Sequence, residues 1–361
     1  MKNIKKILAL LMVCVMVIGL SACHKKNETA VKVGSMKFTS GYYACALFFK
    51  YSEARSKVDE QLTEDGKDTT DVDYIKQKID GKKFADYVKE ETLNDLKRVA
   101  ACKLYCKENK LKLGDTEAQM KSYAEYYWEN GYSSVLTENG VGKDTYVSYT
   151  LDHAYEDLYF NHIFGADGEK AISEDDLKAE LSKNYALADM LEVSFTDLEE
   201  TEQTQKTEQL NGYLEELSKG KRTFEEIYHE YNGETEEETE EATDDSQTDK
   251  PLDSHATLIG NSDTTVANDN FDEIYAMKNG EVKIIDMADN AGKILVVKKD
   301  VLEDPYYLKN YDSALRHAVA DDDFDKIVEK YAKTLKLKEY KSSTDAFKVK
   351  KIYYPVSSSE S

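Results

Sequence analysis

Ile172-Ser173-Glu174-Asp175-Asp176-Leu177-Lys178, running on to Asn184-Tyr185-Ala186-Leu187-Ala188-Asp189-Met190-Leu191-Glu192-Val193-Ser194-Phe195, is the stretch on which the reading of the fold turns. Ser173 to Asp176 has the shape of a capping box, and Leu177, Leu181 and Tyr185 give the helix behind it an apolar stripe. Leu187 to Phe195 then reads as a strand. Upstream, the apolar periods are those of helices. Phe84, Val88, Leu93, Leu96, Ala100 and Leu104 mark one face over Lys83 to Lys110. Gly114-Asp115 stops that helix and caps the next, which carries Met120, Tyr123, Tyr127 and Trp128, and Asp144 opens a third. Val31 to Phe38 alternates like a strand with a turn at Gly34-Ser35, Thr39 or Ser40 caps a helix through Tyr51, and the polar residues 59–80 read as a loop with helical pieces. Downstream come helices over Glu199–Lys219 and Phe224–Tyr231, strands at Val282–Ile285 and Lys293–Val297, and a helix starting at Asp304-Pro305. That helix is expected to continue past Asp321, and Phe347 to Tyr354 to form a strand close to Val31–Val33.

The expected fold is therefore mainly α with an α+β insert. Residues 1–22 are a signal peptide and 23–30 a lipidated tether; 31–185 are helical and 186–303 form the α+β block, in which 234–250 is a disordered acidic loop. Residues 304–361 supply a helix and strand that return to the helical block. The leader has a basic start at Lys2, Lys5 and Lys6, an apolar run from Ile7 to Leu20 and then Leu20-Ser21-Ala22-Cys23. The run falls short of the roughly 20 residues of a spanning helix. Its last four residues resemble a bacterial lipobox, which implies lipidation of Cys23 and anchoring at the outer face of the cytoplasmic membrane, or at an outer membrane where the source has one.

The formal net charge of −23 opposes binding to nucleic acid, and loss of the basic leader makes the mature chain more acidic still. Cys45, Cys102 and Cys106 remain after processing, an odd number read as buried thiols rather than as a disulfide framework. No cofactor is expected, because no GxGxxG, P-loop or nucleophile elbow appears. No metal is expected either: His153, His162 and His317 lack ligand spacing, His229 and His255 read as separate surface residues, and 234–250 has no spaced acidic-Gly loop.

The order of elements resembles the SurA/PrsA group of extracytoplasmic foldases, in which a helical chaperone domain is interrupted by a parvulin-type peptidyl-prolyl isomerase domain. The matching stretches are Gly140 to Tyr146, Ile172 to Lys178 before Asn184-Tyr185, Leu217 to Ile227, and Phe271 with Met277 to Val282. The resemblance implies a chaperone whose partners are unfolded or partly folded exported polypeptides, acting alone or as a homodimer. Tyr123, Tyr127, Trp128, Tyr146 and Tyr149 are the candidate client-binding residues, with Tyr126 beside them; core packing explains each singly, but not the supply of 26 tyrosines. The resemblance also places a parvulin histidine at Met190, a second at Lys293 and the Gly-Gly-x-Leu-Gly turn at His255 to Ile259, where Leu258 alone is kept. Met190 and Lys293 cannot reproduce a histidine network, so isomerase activity is expected to be lost. An active isomerase, with His229 or His255 compensating, is the first alternative. The second, a solute-binding lipoprotein, conflicts with the long helices before Ala186 and the absence of βαβ repeats.

Overall fold

The computed structural model describes residues 28–233, 251–252, 255–260 and 270–355. The signal peptide, Cys23 and the acidic segment 234–250 lie outside them. In chain order the elements are β1 (Thr29–Val33), β2 (Met36–Thr39), α1 (Ser40–Glu64), β3 (Lys78–Ile79), β4 (Lys82–Lys83), α2 (Phe84–Glu108), α3 (Asp115–Tyr127), a π-turn (Trp128–Tyr132), α4 (Ser133–Glu138) and α5 (Lys143–Phe164). There follow α6 (Glu174–Asn184), β5 (Tyr185–Ser194), α7 (Glu200–Ser218), α8 (Phe224–Asn232), β6 (Ala256–Gly260), α9 (Phe271–Ala276), β7 (Val282–Asp286), β8 (Gly292–Lys299), α10 (Pro305–Asn310), α11 (Asp312–Thr334), β9 (Leu337–Glu339) and α12 (Lys341–Thr344). This is the expected class: mainly α, with a small sheet and its helices set into the chain. Two compact units result, one formed by the residues up to Glu169 with those from Asp322 onward, the other by Lys170–Asp321.

In the first unit, Thr39 caps α1 by accepting from Tyr42 N–H at 3.2 Å. The buried face of α1, from Tyr42 through Leu47 to Val58, packs with Phe84, Val88 and Leu96 of α2 and with Tyr146 and Tyr149 of α5 in one core. The returning part of α11 contributes Phe324, whose ring lies 5.2 Å from those of both Tyr159 and Phe160. Strand β1 is the centre of a three-stranded antiparallel sheet, β2-β1-β9. Gly34 makes the β1–β2 turn at φ +55, in the left-handed region that glycine adopts without strain.

The structure corrects four local expectations in this part of the chain. Thr29 and Ala30 are already strand, so the tether ends before them. Helix α1 runs through the polar residues 59–64, where only Leu62 packs on the core, because strong helix formers sustain a turn without a buried stripe. The strand beside Val31–Val33 is Leu337–Glu339; Phe347 to Tyr354 instead is irregular, with a single 3-10 turn at Val349–Lys351. Phe347, Val349, Ile352 and Tyr354 still bury against the helical core, so their alternation reflects packing without a ladder. The helix from Pro305 is two helices separated at Tyr311.

In the second unit the sheet order is β6-β5-β8-β7, antiparallel throughout. One face carries Ala186, Ala188, Met190, Ile294 and Val296 under Phe271 and Ile274 of α9. On the other, Leu191, Val193 and Leu295 pack with Leu210 and Tyr213 of α7 and with Phe224 and Ile227 of α8. A reciprocal capping box starts α8: Thr223 Oγ1 accepts from Glu226 N–H, and Glu226 Oε2 accepts from Thr223 N–H. Leu177 and Leu181 of α6 bury with Leu187, Tyr307 and Leu315. By this packing α6, α10 and the start of α11 go with the sheet, so the division falls at Lys170 and Asp321 rather than at residues 186 and 304.

Candidate functional site

Six aromatic side chains of the first unit, with Met120, surround a cavity of about 450 Å³. Phe49 of α1, Met120, Tyr123 and Tyr127 of α3, Tyr132 of the π-turn, and Tyr146 and Tyr149 of α5 line it. Its reach follows from helix geometry. Met120, Tyr123 and Tyr127 share one face of α3 by their three- and four-residue spacing. Tyr132 follows Tyr127 by five positions and would be carried well round a regular α-helix. The π-turn, closed by Ser133 N–H donating to Trp128 C=O, keeps it on the cavity.

The lining divides into a rim and a floor. Tyr123 and Tyr127 remain 52% and 39% exposed, with ring centroids 4.4 Å apart, and Tyr126 stands edge-on to Tyr127. Tyr146 and Tyr149 are buried, and Phe49 stacks on Tyr149 at 5.3 Å with only 11° between planes. Four of the five expected aromatic residues thus meet at one cavity. Trp128, the fifth, is buried behind it against Tyr146, 5.9 Å away, and does not line it. Phe49 and Tyr132 also line a neighbouring cavity of about 530 Å³, where Arg55 lies between the rings of Tyr74 and Tyr354.

A charged group underlies the floor. Asp95 is buried, its Oδ1 3.2 Å from His153 Nε2 and 3.4 Å from Lys50 Nζ. His153 Nδ1 faces Tyr149 C=O at 2.8 Å. Carbonyl and carboxylate can only accept, so a proton on each ring nitrogen satisfies both contacts. Burial alone pushes the His153 pKa down, but the hydrogen bond and charge of Asp95 outweigh it and hold the imidazole above its ordinary value. Burial would likewise raise Asp95; His153 and Lys50 reverse this and hold it below the usual carboxylate range. His153, Glu156 and Asp157 also line the cavity, which therefore offers aromatic surface along one side and polar groups at one end.

The sheet unit gives a different result for Met190, Lys293 and Leu258. Met190 opposes Val296 in the β5–β8 register and lies on the face covered by α9. Lys293 opposes Val193, which lies on the other face, and forms an ion pair with Asp286. Leu258 opposes Leu187 and packs in the cluster with α6 and α10. The three positions do not converge on one site. Between the two clusters on that second face is a cavity of about 260 Å³, whose wall includes Asp189, Thr223, Glu225, His255 and Lys299. Asp189 is 1% exposed and pairs with Lys299 at 2.8 Å. Sequence reasoning passed over it, although an acid among Ala186, Leu187, Ala188 and Leu191 is itself a signal.

The remaining histidines and thiols also take definite positions. His229 and His255 face one another with ring centroids 5.5 Å apart, rather than standing separately. His317 pairs with Asp321 at 2.7 Å. Cys45, Cys102 and Cys106 are buried free thiols, as expected. Burial pushes the Cys106 thiol up to about 11 and Cys102 higher, which suppresses the reactive thiolate. Among the described residues no helix is long and apolar enough to cross a membrane.

No model of a known protein family matches the chain, and no curated protein matches it. Solved structures of foldase proteins do. They include foldase protein PrsA from Streptococcus pneumoniae, at 12% identity and a TM-score of 0.37 over 68% of this chain and 84% of that one. PrsA from Lactococcus lactis aligns at 14% identity and a TM-score of 0.36, over 71% of this chain and 89% of the other. PrsA from Bacillus subtilis gives 16% identity and a TM-score of 0.25, over 68% and 86%.

Proposed function

We propose that this protein is a lipid-anchored extracytoplasmic chaperone of the foldase type, which holds non-native exported polypeptides on the aromatic cavity of its helical unit. The observation that carries the proposal is the pairing of solvent-reaching tyrosines with a buried aromatic floor. Tyr123 and Tyr127 offer rings to an incoming apolar segment, while Phe49, Tyr146 and Tyr149 hold the wall behind them rigid. Aromatic rings and the flexible Met120 thioether accept many apolar side chains without demanding one sequence. The adjoining cavity behind Phe49 and Tyr132 suits an extended segment, whose side chains would occupy the two spaces in succession.

Isomerase chemistry is absent from this proposal. A prolyl isomerase must lower an amide rotation barrier of about 18–20 kcal/mol within one polar and apolar pocket. The resemblance assigns the two parvulin histidines to Met190 and Lys293, residues that the β5–β8 register carries on opposite faces of the sheet. The anchor belongs to Cys23 and the lipobox, and brings the cavity to the membrane face where exported chains emerge.

The test pairs two measurements on the soluble chain starting at His24. Suppression of aggregation of an unfolded protein is expected at near-stoichiometric amounts, with cis/trans turnover of an Xaa-Pro peptide at background. No suppression with any unfolded client would remove the chaperone reading. Turnover well above background would remove the loss of isomerase activity.

A further inference from the structure

Among the described residues, one group of metal-ligating side chains lies apart from the aromatic cavity. It consists of Glu225, His229 and His255, whose ligand atoms all fall within 4.8 Å of one another. Glu225 and His229 are four positions apart on α8 and so project from the same face. Oε1 of the first is 3.8 Å from Nε2 of the second. His255 comes from a different part of the chain, directly before β6, and its ring meets that of His229 at 82° between planes. The capping box at Thr223 fixes the first turn of α8, and Tyr228 packs against His255 at 4.5 Å, so the backbone positions of the group are set by ordered neighbours.

We infer that Glu225, His229 and His255 form a binding site for one divalent transition-metal ion of the zinc type. Two imidazoles and a carboxylate are the donor set of three-ligand zinc centres that leave a fourth position to water. Calcium and magnesium are poorly served, since both demand oxygen ligands. Bonds of about 2.0–2.2 Å at a tetrahedral ion put neighbouring ligand atoms about 3.4 Å apart. Glu225 and His229 are nearly at that separation. Its side chain 65% exposed, Glu225 has the freedom to complete the approach, while His229, at 13%, is held in place. The cavity beside the group, with Glu225, His255 and Asp189 on its wall, gives room for the water. An ion there would join α8 to the start of β6, two segments distant in sequence.

The test uses the full chain in detergent, stripped with chelator and dialysed against zinc chloride or cobalt chloride. One equivalent of metal per chain is expected, with the visible bands of four-coordinate cobalt. His229→Ala and His255→Ala should each weaken zinc binding by about a hundredfold or more, and Glu225→Gln by at least about tenfold. His317→Ala, far from the group in sequence, should leave affinity unchanged. At a fixed zinc concentration the melting temperature should rise equally in the wild-type chain and the His317 variant, and by less in each of the three ligand variants. Glu225→Gln alters an exposed side chain and keeps the test decisive if a histidine variant folds poorly. The inference is overturned if no stoichiometric metal binds, or if weak binding of several equivalents persists undiminished in all three ligand variants.

Discussion

Replacing Asp95 with Asn probes the charged group beneath the aromatic floor. An exposed ion pair contributes at most about 1 kcal/mol, whereas removing one partner of a fully buried pair costs about 3–5 kcal/mol. Asp95 is buried, but Lys50 and His153 keep side-chain exposures of 20% and 31%. The loss should therefore fall between the limits, at about 2 kcal/mol, or about 4–8 °C in Tm for a unit of this size. Its pH dependence has a definite sign. His153 has a raised folded pKa, so its contribution is fully present below the unfolded value of about 6.5 and disappears as pH rises through the folded one. Asp95 has a depressed folded pKa, so its contribution is present above the unfolded value of about 3.9 and lost as pH falls through the folded one. The gap between wild type and Asp95→Asn should be widest between about pH 4 and 6.5 and should narrow as pH rises through the folded value of His153, beyond which Lys50 is the cation left beside Asp95. Urea unfolding of Asp95→Asn, His153→Gln and the double variant measures this. Additive losses at about pH 5.5, or a gap that does not narrow with rising pH, would refute the pairing.

Further outcomes follow from other parts of the molecule. Tyr123→Ser with Tyr127→Ser should reduce aggregation suppression severalfold while stability changes by no more than about 0.5 kcal/mol per site, because both rings are already solvated; unchanged suppression in that double variant would count against the cavity. Phe324→Ala should cost the helical unit about 3–5 kcal/mol by chemical denaturation, since its ring fills the space between Tyr159 and Phe160. Cys45, Cys102 and Cys106 should resist alkylation in the native protein and react once it is unfolded in urea, as read by mass spectrometry. A chain truncated after Lys333 should retain a protease-resistant core from residues 170–321 while the helical unit is cleaved readily, because β1 loses its partner β9.

Much of this architecture was legible because burial imposes a period. The stripe from Phe84 to Leu104 placed α2 within a residue or two, and the Ser173 cap with the apolar run after it placed α6 and β5. What period cannot report was missed. Leu337–Glu339 is only three residues long, mostly exposed, and becomes a strand because it completes the edge of β1. The π-turn after Tyr127 leaves no compositional mark. At the cavity, the aromatic residue types were readable but their division was not. Tyr123 and Tyr146 both recur at helical spacing, and only the packing of α1 against α5 makes one a rim residue and the other floor. The meeting of His229 and His255 brings α8 together with the residue before β6, a juxtaposition of distant positions that spacing alone cannot express.

The position of β1 bears on how such a chain matures. Its residues are synthesised before the whole of Lys170–Asp321, yet its second edge is closed by Leu337–Glu339, which is made after that segment. The segment from Lys170 to Asp321 is contiguous and can collapse while synthesis continues, whereas the helical unit must wait for the residues from Asp322 onward. Until then the backbone groups along one side of Val31 to Val33 have no ladder to join, an open edge of the kind that recruits other strands. A protein proposed to shield others from premature association thus passes through an interval in which it is itself exposed to it.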